Sequence, residues 1–172
     1  MSRVKIHDRE FALSISREEI DREVKKVAAQ ISKDYAGKRP LFLGVLNGSF
    51  MFVADLLKNL EIECEISFVK LSSYQGTETT GKVRELIGLT DSIEGRDVIV
   101  LEDIVDTGHT MCKMLETLKK QNPASVEVAS LFVKPERMQV HVDVKYSLFT
   151  IPDRFIVGYG LDYDGLGRNL PD

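Results

Sequence analysis

Three carboxylates, Glu102, Asp103 and Asp106, fall within a five-residue stretch, and the last of them opens the run Asp106-Thr107-Gly108-His109-Thr110. Adjacent carboxylates repel one another and resist burial, so Glu102 and Asp103 need hydroxyls, a metal ion or water opposite them. Gly108 lets a backbone approach an anion closely, while Thr107 and Thr110 add hydroxyl donors and candidate helix caps. Carboxylates suited to hydroxyls, followed at once by a loop large enough for one phosphate, point to a nucleotide or sugar-phosphate site.

The flanking residues say how such a site would be held. Val98-Ile99-Val100-Leu101 is an unbroken apolar run, as expected of an interior strand in a parallel sheet covered on both faces. After the loop, Met111, Met114, Leu115 and Leu118 recur at helical spacing and predict a helix from Thr107 to about Gln121. The loop therefore lies at a helix N-terminus, whose free N–H groups favour an anion. An ordinary capped helix after a strand would explain Asp-Thr-Gly alone; the Glu-Asp pair just upstream turns the reading towards a ligand. The run lacks both the Gly-Lys-Ser/Thr ending of a Walker loop and the three spaced glycines of a dinucleotide site.

The rest of the chain supplies similar units. Ser16 and Glu19 form a capping box before Ile20, Val24, Val27, Ala28 and Ile31 on one helical face, predicting a helix that ends near Gly37. Leu41 to Leu46 reads as a buried strand, Asn47-Gly48-Ser49 as a turn, and Phe50 to Leu60 as a helix apolar on most sides. Ile62, Cys64, Ile66 and Phe68 alternate with polar residues, as in a strand with one wet or differently packed face. Ser72 to Lys82 reads as a long mobile loop, a lid or simply disordered. Further strands are predicted at about Glu85 to Leu89, Asp97 to Leu101, Val126 to Val133 and Arg154 to Gly160. Strand, helix, strand is the recurring theme, so the expected fold is an open α/β sheet with parallel central strands and a site outside their carboxyl ends.

At 172 residues, 43% hydrophobic and 29% charged, the chain suits one domain spanning residues 1–172. Its net charge of −4 argues against an extended nucleic-acid surface. Cys64 and Cys112 have no paired metal-ligand spacing and read as reduced, buried thiols. The N-terminus lacks the apolar core of a signal peptide and no apolar run reaches membrane-spanning length, which implies a cytoplasmic protein with no membrane partner. His7, His109 and His141 form no HExxH arrangement and there is no Gly-x-Ser-x-Gly elbow, so metalloprotease and serine-hydrolase chemistry are not expected.

The run from Val98 to Thr110 closely resembles the phosphoribosyl-pyrophosphate (PRPP) motif of the type I phosphoribosyltransferases, and four further segments between Leu41 and Arg168 are similar to those of the hypoxanthine-guanine phosphoribosyltransferases. The resemblance implies a central, mostly parallel sheet flanked by helices, with a small hood built from terminal segments. It implies that the Leu46-Asn47-Gly48 turn holds pyrophosphate and contains a cis peptide between Leu46 and Asn47; many family members carry Lys where this chain has Asn47. Ser73 and Tyr74 resemble the Ser-Tyr pair on a flap that closes over the reacting centre. Lys134 matches the lysine that donates to O6 of the purine, a task an ammonium suits because it can only donate. Phe155 would stack on the base, the backbone of Ile156 read its edge, Asp162 bind Mg²⁺ beside the purine, and Arg168 contact pyrophosphate.

On this resemblance Glu102 and Asp103 hold the ribose hydroxyls or their metal, and the loop Asp106, Thr107, Gly108, His109, Thr110 grips the 5′-phosphate. Asp106 takes the proton of purine N7, as the catalytic group. The implied partners are PRPP, a 6-oxopurine and Mg²⁺, in a homodimer or homotetramer. Two other readings stay open: a phosphoribosyltransferase for adenine, xanthine or a pyrimidine, and a regulator of the same fold that binds nucleotide and RNA. Testing bases against PRPP separates the first; RNA binding that weakens steeply with salt would reveal the second.

Overall fold

A computed structural model describes residues 2–73 and 84–172 of the protein. Among them the chain runs β1 (Arg3–Ile6), β2 (Arg9–Ala12), α1 (Arg17–Asp34), β3 (Leu41–Val45), α2 (Phe50–Lys58), β4 (Glu65–Ser73), β5 (Arg84–Ile87), β6 (Asp97–Val105), α3 (His109–Lys119), β7 (Ser125–Val133) and β8 (Tyr146–Thr150). The main sheet has the order β5-β4-β3-β6-β7-β8. Its contacts are parallel from β4 through β8, and β5 joins the edge antiparallel to β4.

The apolar runs make sense once their alternation is followed into the two sides of the sheet. Phe42, Ile99, Leu101, Ala129 and Leu131 pack with Ile20, Val24, Ala28, Phe52 and Leu56 of α1 and α2. Leu41, Leu43, Val98, Val100 and Val128 pack with Met111, Met114 and Leu118 of α3. Each strand thus feeds two cores at a period of two residues, and neither face of the central sheet needs polar residues. The capping box forms as the sequence indicates: the Ser16 hydroxyl accepts from the Glu19 amide at 3.2 Å, and the Glu19 carboxylate receives the Ser16 N–H.

Several expectations change. β6 continues to Val105, so Glu102 and Asp103 lie inside a strand and not beyond its end. Arg154 to Gly160 forms no sheet strand, because Gly158, Tyr159 and Gly160 all take positive φ and bend the chain; the sheet is completed instead by β8, which the sequence reading missed along with the β1–β2 hairpin. In β4 the alternation is inverted, with Ile66 and Phe68 exposed and Val69 buried. Ser72 and Ser73 belong to β4, not to a loop; Tyr74 and the remainder of the expected flap to Lys82 lie outside the described residues. Cys64 and Cys112 are free thiols, half-buried instead of buried, and burial pushes the Cys64 thiol up. Among the described residues no helix is long and apolar enough to cross a membrane.

Candidate active site

The carboxyl ends of β3 and β6 open onto one cleft with two lobes. The first, about 330 Å³, is lined by the strand end Val45-Leu46, by Glu102 to Asp106 and by Thr107, Gly108 and Thr110 of the loop. The second, about 380 Å³, shares Leu46, Glu102, Asp103 and Asp106 and adds Asn47, Gly48, Lys134, Phe155, Ile156, Asp162 and Arg168. Most of the side chains singled out in the sequence therefore face connected space, at the place where open α/β sheets bind ligands.

A break in the ladder accommodates the adjacent carboxylates. Glu102 pairs with Ser130 and Ile104 with Phe132, while Asp103 between them has no register partner. Local side chains serve the backbone here: the Asp103 N–H donates to Glu102 Oε1 at 3.0 Å and the Ile104 N–H to Asp103 Oδ1 at 2.7 Å. Glu102 is only 7% exposed. Burial first, and the neighbouring Asp103 charge second, hold its carboxyl well above the ordinary carboxylate range.

The turn after β3 approaches this pair directly. The Leu46–Asn47 peptide is cis, as the resemblance implies. Gly48 sits against the Asp103 carboxylate with no room for a side chain, and the Gly48 carbonyl in turn excludes a side chain from Gly160. Ser49 anchors the turn by donating from its hydroxyl to the Val45 carbonyl at 2.6 Å. Glycine is thus required where two backbones and a carboxylate converge.

On the other side of β6, Gly108 has φ of 91° and turns the loop into α3. A side chain there would meet the Val140 carbonyl. The Thr107 carbonyl accepts from the amides of Gln139 and Val140 at 2.8 and 3.1 Å, tying the loop to the segment after β7. His109 Nε2 lies 3.0 Å from Gln139 Oε1, so its ring faces that segment. Gly108, Thr110 and Met111 bring the start of α3 to the wall of the first lobe.

Lys134 is 8% exposed, which rules out an ordinary solvated lysine. Its backbone N–H donates to the Val105 carbonyl at 3.0 Å, and its Nζ stands 3.9 Å from Asp153 Oδ1. Phe155 is 53% exposed, so its ring is free to stack rather than committed to the core. It is backed by Tyr163 at 5.6 Å between ring centroids and by Phe11 of β2 at 6.2 Å, with the Arg9 guanidinium 5.8 Å from its centroid. Ile156 packs against the first core. Arg168 donates to the Gly160 carbonyl at 2.7 Å and pairs with Asp162 at 3.2 Å. The terminal segments thus form a small hood beside the second lobe.

Ser73 ends β4 opposite Arg84; Tyr74 is outside the described residues. Two residues at the site went unnoticed in the sequence. Arg137 donates from Nε to Asp106 Oδ1 at 2.7 Å and from Nη1 to Asp153 Oδ2 at 3.4 Å. A single Arg and a single Asp after helix and strand patterns carry no periodic signal that would have found them.

Residues 16–164 match the model of the phosphoribosyl transferase domain. The chain is 47% identical over 157 residues to a hypoxanthine-guanine phosphoribosyltransferase of Streptococcus agalactiae, with 91% of this chain and 87% of the relative covered. It is 44% identical over 158 residues to the Streptococcus pneumoniae protein of the same name, covering 91% and 88%. Among solved structures, a hypoxanthine-guanine phosphoribosyltransferase of Bacillus anthracis superposes with a TM-score of 0.84 at 39% identity, over 94% of this chain and 95% of that one.

Proposed function

The chain belongs to the phosphoribosyl transferase family, and from that premise we propose how its cleft divides the work of purine salvage. The enzyme transfers the 5-phosphoribosyl group from PRPP to hypoxanthine or guanine, giving the nucleoside monophosphate and pyrophosphate. One observation carries the division of roles: a single cleft joins an amide-rich loop, a carboxylate pair and a buried lysine beside an exposed aromatic ring.

The amides and hydroxyls from Thr107 to Thr110 bind the 5′-phosphate, which places the ribose over Glu102 and Asp103. The bond from the anomeric carbon to pyrophosphate breaks, and a purine ring nitrogen forms its bond at the same carbon. The Asp106 carboxylate accepts the proton released from N7. The amides around Asn47 and Gly48, with the Arg168 guanidinium, offset charge building on the leaving pyrophosphate. Asn47 adds no charge of its own, so this assignment leaves the cationic contact to pyrophosphate to Arg168. Phe155 stacks on the base and Lys134 donates to O6; adenine, with an amino group there, would leave two donors facing each other at a cost of about 1–3 kcal/mol.

Mg²⁺ belongs to the same reading. Asp103, Glu102 and Asp162 present hard oxygen donors to the shared cleft, and no group of three or more metal-ligating side chains is assembled among the described residues. That donor set suits a cation held by one or two carboxylates, water and substrate oxygens. When bound, Mg²⁺ would supply charge neutralisation at the diphosphate. A homodimer or homotetramer, which the family resemblance implies, is also part of the proposal. A cytoplasmic setting accords with the soluble substrates.

The test is to incubate the protein with PRPP, Mg²⁺ and separately hypoxanthine, guanine, xanthine or adenine, measuring nucleotide and pyrophosphate. Transfer to hypoxanthine or guanine but not adenine is expected. Equal use of adenine would overturn the role given to Lys134, and no transfer to any base would overturn the activity.

A further inference from the structure

Four charged side chains of alternating sign connect Asp106 to Lys134, the two ends of the chain lining the second lobe. Asp106 meets Arg137 at 2.7 Å, Arg137 meets Asp153 at 3.4 Å, and Asp153 meets Lys134 at 3.9 Å. The backbone closes this chain into a ring. The Lys134 amide donates to the Val105 carbonyl, one residue before Asp106, and the Arg137 amide donates to the Lys134 carbonyl at 3.1 Å across the short turn Pro135–Arg137. The ends of the ionic chain, Asp106 and Lys134, are thereby tied twice, through their backbones and through Arg137 and Asp153.

Stability does not explain the arrangement. The side chains of Arg137 and Asp106 are 45% and 41% exposed, and ion pairs so open to water contribute little to folding. Geometry does explain it. An arginine holds two carboxylates with donors in a fixed planar fork, whereas a lysine is a compact point charge on a flexible stem that sets no such geometry. Arg137 uses Nε on Asp106 and Nη1 on Asp153, and it engages Oδ1 of Asp106, leaving Oδ2 to meet a ligand.

We propose that Arg137 is a positioning residue which, through Asp153, holds the Asp106 carboxylate and the Lys134 ammonium at the spacing of adjacent polar atoms on one purine edge. This rests on the base assignment above, in which Asp106 serves N7 and Lys134 serves O6. Those two atoms lie side by side on a 6-oxopurine, one presenting a proton and the other an acceptor. The ring of contacts would therefore select the oxopurine edge as a unit, and the sugar-phosphate lobe would not depend on it.

The inference is tested by comparing wild type with Arg137→Gln, Arg137→Lys and Asp153→Asn. The kcat and KM are measured for hypoxanthine, and the affinity for PRPP by titration in the absence of base. Arg137→Gln is expected to lower kcat/KM for hypoxanthine by about tenfold or more while PRPP affinity stays within about twofold, because misplacing a reacting pair costs catalysis and not remote binding. Arg137→Lys should recover little of the loss, since it keeps the charge and loses the fork, and Asp153→Asn should show the same pattern more weakly. Wild-type kinetics in Arg137→Gln, or full rescue by Arg137→Lys, would overturn the inference while leaving the enzyme's activity intact. A wild-type protein that transfers to no base would overturn the assignment beneath it.

Discussion

Gly48 lies against Asp103 so closely that a methyl group on its α-carbon would overlap the Oδ2 oxygen. The turn after β3 and the carboxylate pair on β6 are therefore packed as one unit, so the proposed pyrophosphate and ribose subsites would be held relative to one another by the contact of the Gly48 backbone with the Asp103 side chain. Gly48→Ala must displace either the turn or Asp103. The expected result is a loss of roughly 10²-fold in kcat/KM for PRPP, the scale of a displacement near 1 Å at a reacting centre. Steady-state kinetics beside a thermal melt will check it: a variant that melts as wild type yet has lost activity fits, and undiminished activity would refute the coupling.

Asp106→Asn keeps the size of the side chain and an oxygen to accept from Arg137 Nε, but it cannot take a proton. The proposed role predicts a fall in kcat of roughly 10²–10⁴-fold with little change in PRPP affinity. Rapid-quench measurement of the first turnover isolates the chemical step from product release. Equal losses in PRPP binding and in turnover would instead make Asp106 a phosphate or sugar ligand.

Lys134→Ala removes a buried donor from the base lobe and leaves Asp153 with Arg137 as its charged partner. Losing a hydrogen bond from a charged group costs about 1–3 kcal/mol, so kcat/KM for hypoxanthine should fall by about tenfold or more. PRPP affinity should hold, and the relative use of adenine should rise because the opposing donor has gone. Competition between labelled hypoxanthine and adenine measures that ratio directly. Unchanged oxopurine kinetics would reduce Lys134 to a structural cation.

The residues readable in advance were those whose type and spacing coincide. Val98 to Leu101 and the capping box at Ser16 and Glu19 carry their own local physics, and both elements begin where expected, although β6 runs on to Val105. An unbroken apolar run has no phase, however, so nothing in Val98 to Leu101 says which residues face α3 and which face α1 and α2. In β4 a phase was visible but its sense was not: Ile66 and Phe68 look core-facing and are exposed. Arg154 to Gly160 has strand-like composition, and its positive-φ residues override that preference. Glu102 and Asp103 stood out because adjacent carboxylates resist burial, whereas Lys134 was legible only through the family resemblance, since a lone lysine is ordinarily a solvated surface group. Arg137 was not legible, since its role depends on Asp106 and Asp153, 31 and 16 residues away.

Tyr146 and Asp34 offer a test of the frame apart from the chemistry. The Tyr146 hydroxyl donates to Asp34 Oδ2 at 2.6 Å, linking β8 to the end of α1. That bond, more than the nearby lysines, holds the Asp34 carboxyl below its ordinary value of 3.8, while burial and the same bond push the Tyr146 hydroxyl up. A carboxylate with a depressed folded-state pKa contributes stability that is present above its unfolded pKa and lost as pH falls through the folded one. Tyr146→Phe should therefore destabilise the protein by about 1 kcal/mol at neutral pH, the lower end for a hydrogen bond to a charged group because Asp34 is open to water. The gap to wild type should narrow as pH falls below about 4, where Asp34 is protonated in the unfolded chain and then in the folded one. Urea denaturation of both proteins at pH 7 and at successively lower pH measures the difference; a gap that stays constant on acidification would mean that the ring's packing, and not its bond to Asp34, is what β8 requires.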